Sequence, residues 1–192
     1  ALPAPSFMAQ FNNLEDVDIV LNALLAFGFH SVYEVAKAAE LVSAATRRLM
    51  KSGTLPKPVI SSACPAVTRL IRVRFPSLIE HILPLNAPIE VAARLAKEEA
   101  VKETGLPPER IGAVFISPCP AKVTATKMPL GTAKSAVDAV VAVSEIYPQL
   151  LPFMKQTAQE PPRTISEAGK IGLSWGSSSG EASGLINDNY LA

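Results

Sequence analysis

Residues 111–120 read Ile111-Gly112-Ala113-Val114-Phe115-Ile116-Ser117-Pro118-Cys119-Pro120, and this stretch decides the fold class. Its first six residues are almost purely apolar, and their length and flanks suit a strand buried on both faces, as in a parallel sheet. The strand runs directly into Pro-Cys-Pro, a start signal for a helix. A second stretch repeats the pattern: Pro58-Val59-Ile60-Ser61-Ser62 is a brief strand that leads into Cys64-Pro65 and a helix through about Phe75.

Outward from these two junctions the apolar period alternates between helix and strand. Residues 14–27 carry a helical stripe at Val17, Val20, Leu21, Leu24 and Leu25, stopped by Gly28. Phe29–Val35 reads as a short strand, residues 36–51 as a helix ending at Ser52-Gly53, and Ile82–Leu85 as a short extended piece. Residues 88–104 form the clearest helix, with Pro88 at its start and Gly105 after its end. Val137–Val143 predicts another buried strand, and Ser144–Gln156 a helix interrupted by Pro148 and Pro152. From Thr157 the chain is polar and rich in Gly and Ser, with Trp175-Gly176-Ser177-Ser178-Ser179-Gly180 reading as a flexible loop. The expected class is α/β: a mainly parallel sheet flanked by helices.

Composition narrows the function classes. The 192 residues are 48% hydrophobic and 18% charged, with a net charge of +1. Whole-chain disorder is excluded, and no strong field invites nucleic acid or an anionic membrane. No apolar run reaches the roughly 18 residues of a membrane span. The start lacks the layout of a signal peptide, so a cytoplasmic location is expected. Two cysteines are too few for a disulfide scaffold and lack zinc-site spacing.

Both cysteines nevertheless follow predicted strands and precede predicted helices, the edge of an open α/β sheet where ligands bind. Cys64 and Cys119 could therefore converge on one pocket. The alternative is that both are buried apolar fillers. Other chemistry is thin. His30 and His81 belong to no metal-binding array, and no phosphate loop or nucleophile elbow is present. Glu98, Glu99 and Glu103 share a helix with Lys97 and Lys102, as on a solvated face. Arg69, Arg72 and Arg74 form a small basic cluster that reads as a solvent face, or as a face for an acidic redox partner.

Three ordered segments carry a family resemblance: Ala4-Pro5-Ser6, Ser61-Ser62-Ala63-Cys64-Pro65, and Ser117-Pro118-Cys119-Pro120-Ala121-Lys122. They resemble the Ala-Pro-Ser, Thr-Ser-Cys-Cys-Pro and Met-Pro-Cys-Thr-Ala-Lys motifs in the C-terminal domain of the iron-only hydrogenase large subunit. Arg74-Phe75-Pro76-Ser77-Leu78, Thr104-Gly105-Leu106-Pro107-Pro108-Glu109 and the late Gly-Ser-Ser-Ser-Gly run agree as well. The resemblance implies an active site made of a [4Fe-4S] cubane joined to a di-iron subcluster that carries carbon monoxide and cyanide. It implies Cys64 and Cys119 as cubane ligands, and Lys122 as the group that donates to an iron-bound cyanide. Ala4, Pro5, Ser6, Ser62 and Pro118 would line the cofactor.

Departures from the family pattern matter equally. The motif that supplies the remaining two cysteine ligands is missing, and the sequence ends at Asn189-Tyr190-Leu191-Ala192. No ferredoxin-like cysteine run precedes Ala4. The expectation is that residues 1–192 are an excised part of the domain, with both cofactors belonging to the full-length protein and absent from the fragment. The proton-shuttling cysteine is Ala63, the glutamate expected six residues beyond the second ligand cysteine is Ala125, and the methionine near the bridging carbonyl is Ser117. Methyl groups carry no proton, so slow interconversion of protons and H2 is expected, as in divergent, sensory members of the family. The alternative is a non-catalytic iron–sulfur redox or H2 sensor. The implied partners are a ferredoxin-like electron donor or acceptor, H2 and protons, and a signalling protein, with no nucleic acid and no membrane.

Overall fold

The computed structural model describes residues 1–11, 14–159 and 162–186. The final residues, Asn189–Ala192, lie outside the described residues. A parallel sheet of three short strands sits at the centre, in the order β1 (Leu2–Pro3), β2 (Val114–Ser117), β3 (Ala139–Ala142). Leu2 lies opposite Phe115, and Val114 through Ser117 lie opposite Ala139 through Ala142. β2 is the middle strand, with Phe115, Ile116 and Ser117 buried. That burial explains the unbroken apolar run that marks the strand in the sequence. β1 is absent from the sequence-based expectation. Two residues are too few to show a period, and the strand exists because β2 offers it a free edge.

Helices α1 (Val17–Phe27), α2 (Val35–Ser52), α4 (Pro88–Thr104) and α6 (Val143–Thr157) pack around the sheet. Phe7, Val20, Leu24, Ala92, Ile116 and Leu150 lie in one core. Asp16 caps α1 by accepting the Asp18 amide at 2.8 Å, and Gly28 and Gly105 end their helices with positive φ. Helices α3 (Pro65–Arg74) and α5 (Pro120–Lys127) start from the two cysteine loops, and α7 (Lys170–Ser174) and α8 (Gly180–Ile186) close the described chain. Among the described residues no helix is long and apolar enough to cross a membrane.

Four expectations need correction. Phe29–Val35 is not a strand: the Gly28 and Phe29 amides return to the carbonyls of Leu25 and Leu24, and Tyr33 donates to the Ala1 carbonyl. Its donors are thus taken before any ladder can form. Pro58–Ser62 forms one parallel bridge, Ile60 to Ile82, rather than a sheet strand. That bridge also accounts for the extended piece at Ile82–Leu85. Pro148 and Pro152 do not interrupt α6. Each removes a helical hydrogen bond at a cost of about 3 kcal/mol, but Ile146 and Leu150 are buried and Phe153 packs edge-on against Phe27 of α1. Tertiary packing therefore outweighs local propensity. Finally, the polar tail contains two helices, with the Ser-rich run as the turn between them.

Side chains of α1, of α2 and of Glu34 just before α2 hold the tail in place. Buried Asp18 accepts the Ile165 and Ser166 amides, each at 2.8 Å, together with the Ser166 hydroxyl. Glu34 accepts the Glu167 and Ala168 amides, and Glu40 accepts that of Gly172. Trp175 Nε1 donates to Ser43 Oγ at 3.0 Å. Irregular backbone is thereby satisfied without a sheet or helix partner.

Candidate metal centre

The two cysteines occupy equivalent positions. Cys64 caps α3 and Cys119 caps α5, each with extended backbone and each followed by proline at the first helical position. The proline needs no amide partner there and pre-sets the helical φ. Each cysteine carbonyl accepts a first-turn amide, Thr68 to Cys64 at 3.0 Å and Lys122 to Cys119 at 3.1 Å. Ser117 fixes the approach to the second cysteine, its Oγ accepting the Cys119 amide at 3.1 Å. Ser61 does the same at the first, accepting the Ala63 amide at 3.2 Å.

Both cysteines open onto one cavity of about 710 Å³. Ala4, Pro5 and Ser6 line it from the segment after β1, Pro118 from the end of β2, and Lys122 from α5. Cys64 is exposed and Cys119 half-buried. Neither is an apolar filler. Of the residues expected to hold or line the cofactor, Ser62 alone faces elsewhere. Its hydroxyl donates to the Leu85 carbonyl at 2.7 Å, and it lines a second, smaller cavity of about 410 Å³. Ala125 lines the smaller cavity, Ser117 the larger, and Ala63 and Lys122 line both.

Lys122 ties the two cysteine loops together, its Nζ donating to the Ala63 carbonyl at 2.5 Å. Burial pushes its pKa below the usual lysine value, while the thiols of Cys119 and Cys64 and the carboxylates of Glu90 and Glu181 pull it upward. An ammonium with free donors in a partly desolvated wall is a natural partner for an anionic ligand.

Sequence reasoning misses the far wall. The turn between α7 and α8 brings Ser177, Ser179 and Glu181 to the cavity. Ser61 Oγ donates to Glu181 Oε1 at 2.6 Å, joining the first cysteine loop to α8. Two glycines permit this approach. A Cβ on Gly176 would meet the Pro5 carbonyl carbon at 3.0 Å, and one on Gly180 would fall 1.5 Å from the Ser174 oxygen. The Gly-Ser-Ser-Ser-Gly run is the available signal, and it is a tight turn rather than a loose loop.

The remaining candidates stay outside. His30 lies 3.8 Å from Glu103 on the surface, and His81 contacts the Pro58 carbonyl. Glu98, Glu99 and Glu103 lie on the outer face of α4, with Glu99 and Glu103 exposed. Arg69 is hydrogen-bonded to the Met128 carbonyl, Arg72 lines the smaller cavity and Arg74 is exposed. Among the described residues no cluster of three or more His, Cys, Asp or Glu could hold a metal ion. The donor set is therefore two thiols. It fits two of the four ligand positions of a cubane, and the sequence contains no further cysteine.

Known proteins resemble this chain in sequence and in fold. The family model described as iron only hydrogenase large subunit, C-terminal domain, matches residues 1–187. Iron hydrogenase 1 of Clostridium pasteurianum is 23% identical over 195 residues, covering 92% of this chain and 34% of that protein. The cytosolic Fe-S cluster assembly factor nar1 of Aspergillus flavus is 29% identical over 110 residues, covering 57% of this chain and 18% of that protein. Among solved structures, an apo [FeFe]-hydrogenase HydA1 from Chlamydomonas reinhardtii superimposes with a TM-score of 0.67 at 18% identity. The match covers 87% of this chain and 46% of that one. A second structure of that enzyme, carrying a glutamate-to-alanine substitution, gives a TM-score of 0.68 at 19% identity, over 87% of this chain and 45% of that one. The chain thus spans well under two thirds of each of these proteins.

Proposed function

The chain belongs to the family of the iron-only hydrogenase large subunit, in its C-terminal domain, and from that premise we propose that its larger cavity holds part of an iron–sulfur centre through Cys64 and Cys119. The observation that carries the reading is that two cysteines from separate loops line one cavity together with Lys122. When bound, such a centre supplies one-electron chemistry and, with a di-iron unit, the metal at which protons and H2 interconvert. The chain's own contribution is more limited. Cys64 and Cys119 offer two thiolates, and further ligands come from outside this chain's cysteines. Lys122 offers N–H donors to an anionic ligand such as cyanide. Pro5, Ser6 and Pro118 shape the wall and exclude water. Ala63 and Ala125 cannot pass a proton, so hydrogen turnover is slow.

A second reading is favoured by those same two methyl groups: a non-catalytic iron–sulfur redox, sensing or assembly module. The nar1 relatives, named as cytosolic Fe-S cluster assembly factors, are consistent with it. A ferredoxin-like electron carrier, a signalling partner and a cytoplasmic location fit either reading. Infrared spectra of the matured protein decide between the two. Bands of iron-bound carbon monoxide and cyanide, with measurable H2/D2 exchange, support the first; a cluster signal without those bands or exchange overturns it in favour of the second.

A further inference from the structure

The smaller cavity, about 410 Å³, shares Ala63, Ala125 and Lys122 with the reading above, but the rest of its wall has no part in it. Most of its wall is apolar, including Ile79, Ile82, Leu83 and Leu130. Three charged groups reach it: Arg72 from α3, Glu90 from α4 and Lys122 from α5. Their hydrogen-bonding demands do not balance. Glu90 is satisfied on both oxygens, Oε1 by the Ser135 hydroxyl at 2.5 Å and Oε2 by the Ala136 amide at 2.8 Å. Arg72 makes no ion pair among the described residues. Lys122 uses one donor on the Ala63 carbonyl and keeps the others. An excess of cationic N–H groups thus faces a chamber whose wall is mostly apolar, with Ser62, Thr68, Asn86 and Thr132 as its uncharged polar members.

We infer that this cavity binds a short organic carboxylate, with its head group on Arg72 and Lys122 and its apolar body between Ile79, Ile82 and Leu83. A bare inorganic anion would leave the apolar wall unused, and a neutral molecule would make no use of the charge that the solvent-exposed Arg72 and the half-buried Lys122 bring to the cavity. The volume lies near the lower end of small-molecule sites, which begin at about 300 Å³, so the ligand is small and branched rather than nucleotide-sized. Because Ala63 and Lys122 line both cavities, an occupant here touches the amine that ties the two cysteine loops. The inference does not depend on the cluster reading, since binding is measurable in the metal-free protein.

The test titrates isovalerate into the protein and follows amide chemical shifts, with isobutanol and isopentylamine as controls. Saturable shifts confined to α3 around Arg72, residues 76–90, α5 and residues 129–132, seen with isovalerate alone, are expected. Arg72→Gln weakens that binding by about 10-fold or more, the effect of losing one charged hydrogen bond. Ala125→Glu places a carboxylate in the lining and abolishes it, with shifts elsewhere reporting an intact fold; if that variant does not fold, Arg72→Gln decides. No saturable response to isovalerate, an equal response to either control, or unchanged affinity in Arg72→Gln overturns the inference.

Discussion

Lys122 Nζ donates to the carbonyl of Ala63 at 2.5 Å, so the amine from the second cysteine loop holds the residue just before the first cysteine. The bond sets the cavity's two cysteine loops against each other. Burial lowers the pKa of this lysine, so folding disfavours its charge. The hydrogen bond and the desolvation cost oppose one another, and the net effect on the empty protein is small.

Lys122→Met keeps the aliphatic stem and removes the charge. Denaturant unfolding of the metal-free variant is expected to differ from wild type by no more than about 1 kcal/mol, while iron retained by the full-length protein after reconstitution with iron and sulfide falls. A large loss of stability would make the lysine a structural strut instead.

Asp18 is buried and accepts two amides and a hydroxyl from residues 165–166, anchoring the segment that leads to the cavity's far wall. Asp18→Ala strands those donors. The expected loss is about 3 kcal/mol, in the range for breaking hydrogen bonds to a buried charged group. Chemical denaturation followed by Trp175 fluorescence measures it, since Trp175 lies at the end of the anchored segment.

Asp138 links α4 to the residue just before β2, its Oδ2 meeting Lys97 Nζ at 2.6 Å and accepting the Ala113 amide at 2.8 Å. Partial burial alone would raise its pKa, but the Lys97 and Ala113 hydrogen bonds prevail and hold it below the ordinary 3.8. A depressed carboxyl stabilises the fold above its unfolded value and loses that contribution as pH falls through the folded one. Stability is therefore expected to decline with acid below about pH 4, and Asp138→Asn flattens that decline. Thermal midpoints across an acid series, wild type against variant, provide the check.

Ala63→Cys restores a titratable group beside Cys64 on the shared wall of the two cavities. If the matured protein turns over hydrogen, H2/D2 exchange should rise by about 100-fold, the lower range for a positioned acid–base group. An unchanged rate in a protein that carries the complete cluster would place the bottleneck elsewhere.

Much of this architecture is visible in the chain itself where one local rule dominates. Residues 111–116 announce a buried strand because burial on both faces removes the need for polar alternation, and Pro65 and Pro120 announce helix starts because their fixed φ suits only the first turn. The loops of Cys64 and Cys119 are readable as helix starts, but the strand expected before Cys64 reduces to one bridge, and the convergence of both on one cavity is seen only in the fold. What resists reading depends on distant partners. β1 is a strand only because β2 lies beside it, Phe29–Val35 fails to be one because α1 and Ala1 claim its amides, and α6 survives two prolines because its apolar face is buried. The tail is obscure for the same reason: Asp18, Glu34 and Glu40 satisfy it from more than 130 residues away.

The account rests most heavily on both thiols holding one centre. Anaerobic reconstitution of the full-length protein, which has to supply the remaining cluster ligands, with iron and sulfide, with and without Cys64→Ser and Cys119→Ser, tests this most directly through iron content, sulfide content and electron paramagnetic resonance of the reduced sample. The account predicts a cluster signal in the wild type that each single substitution abolishes. Retention of the wild-type iron content and spectrum by either variant would contradict it.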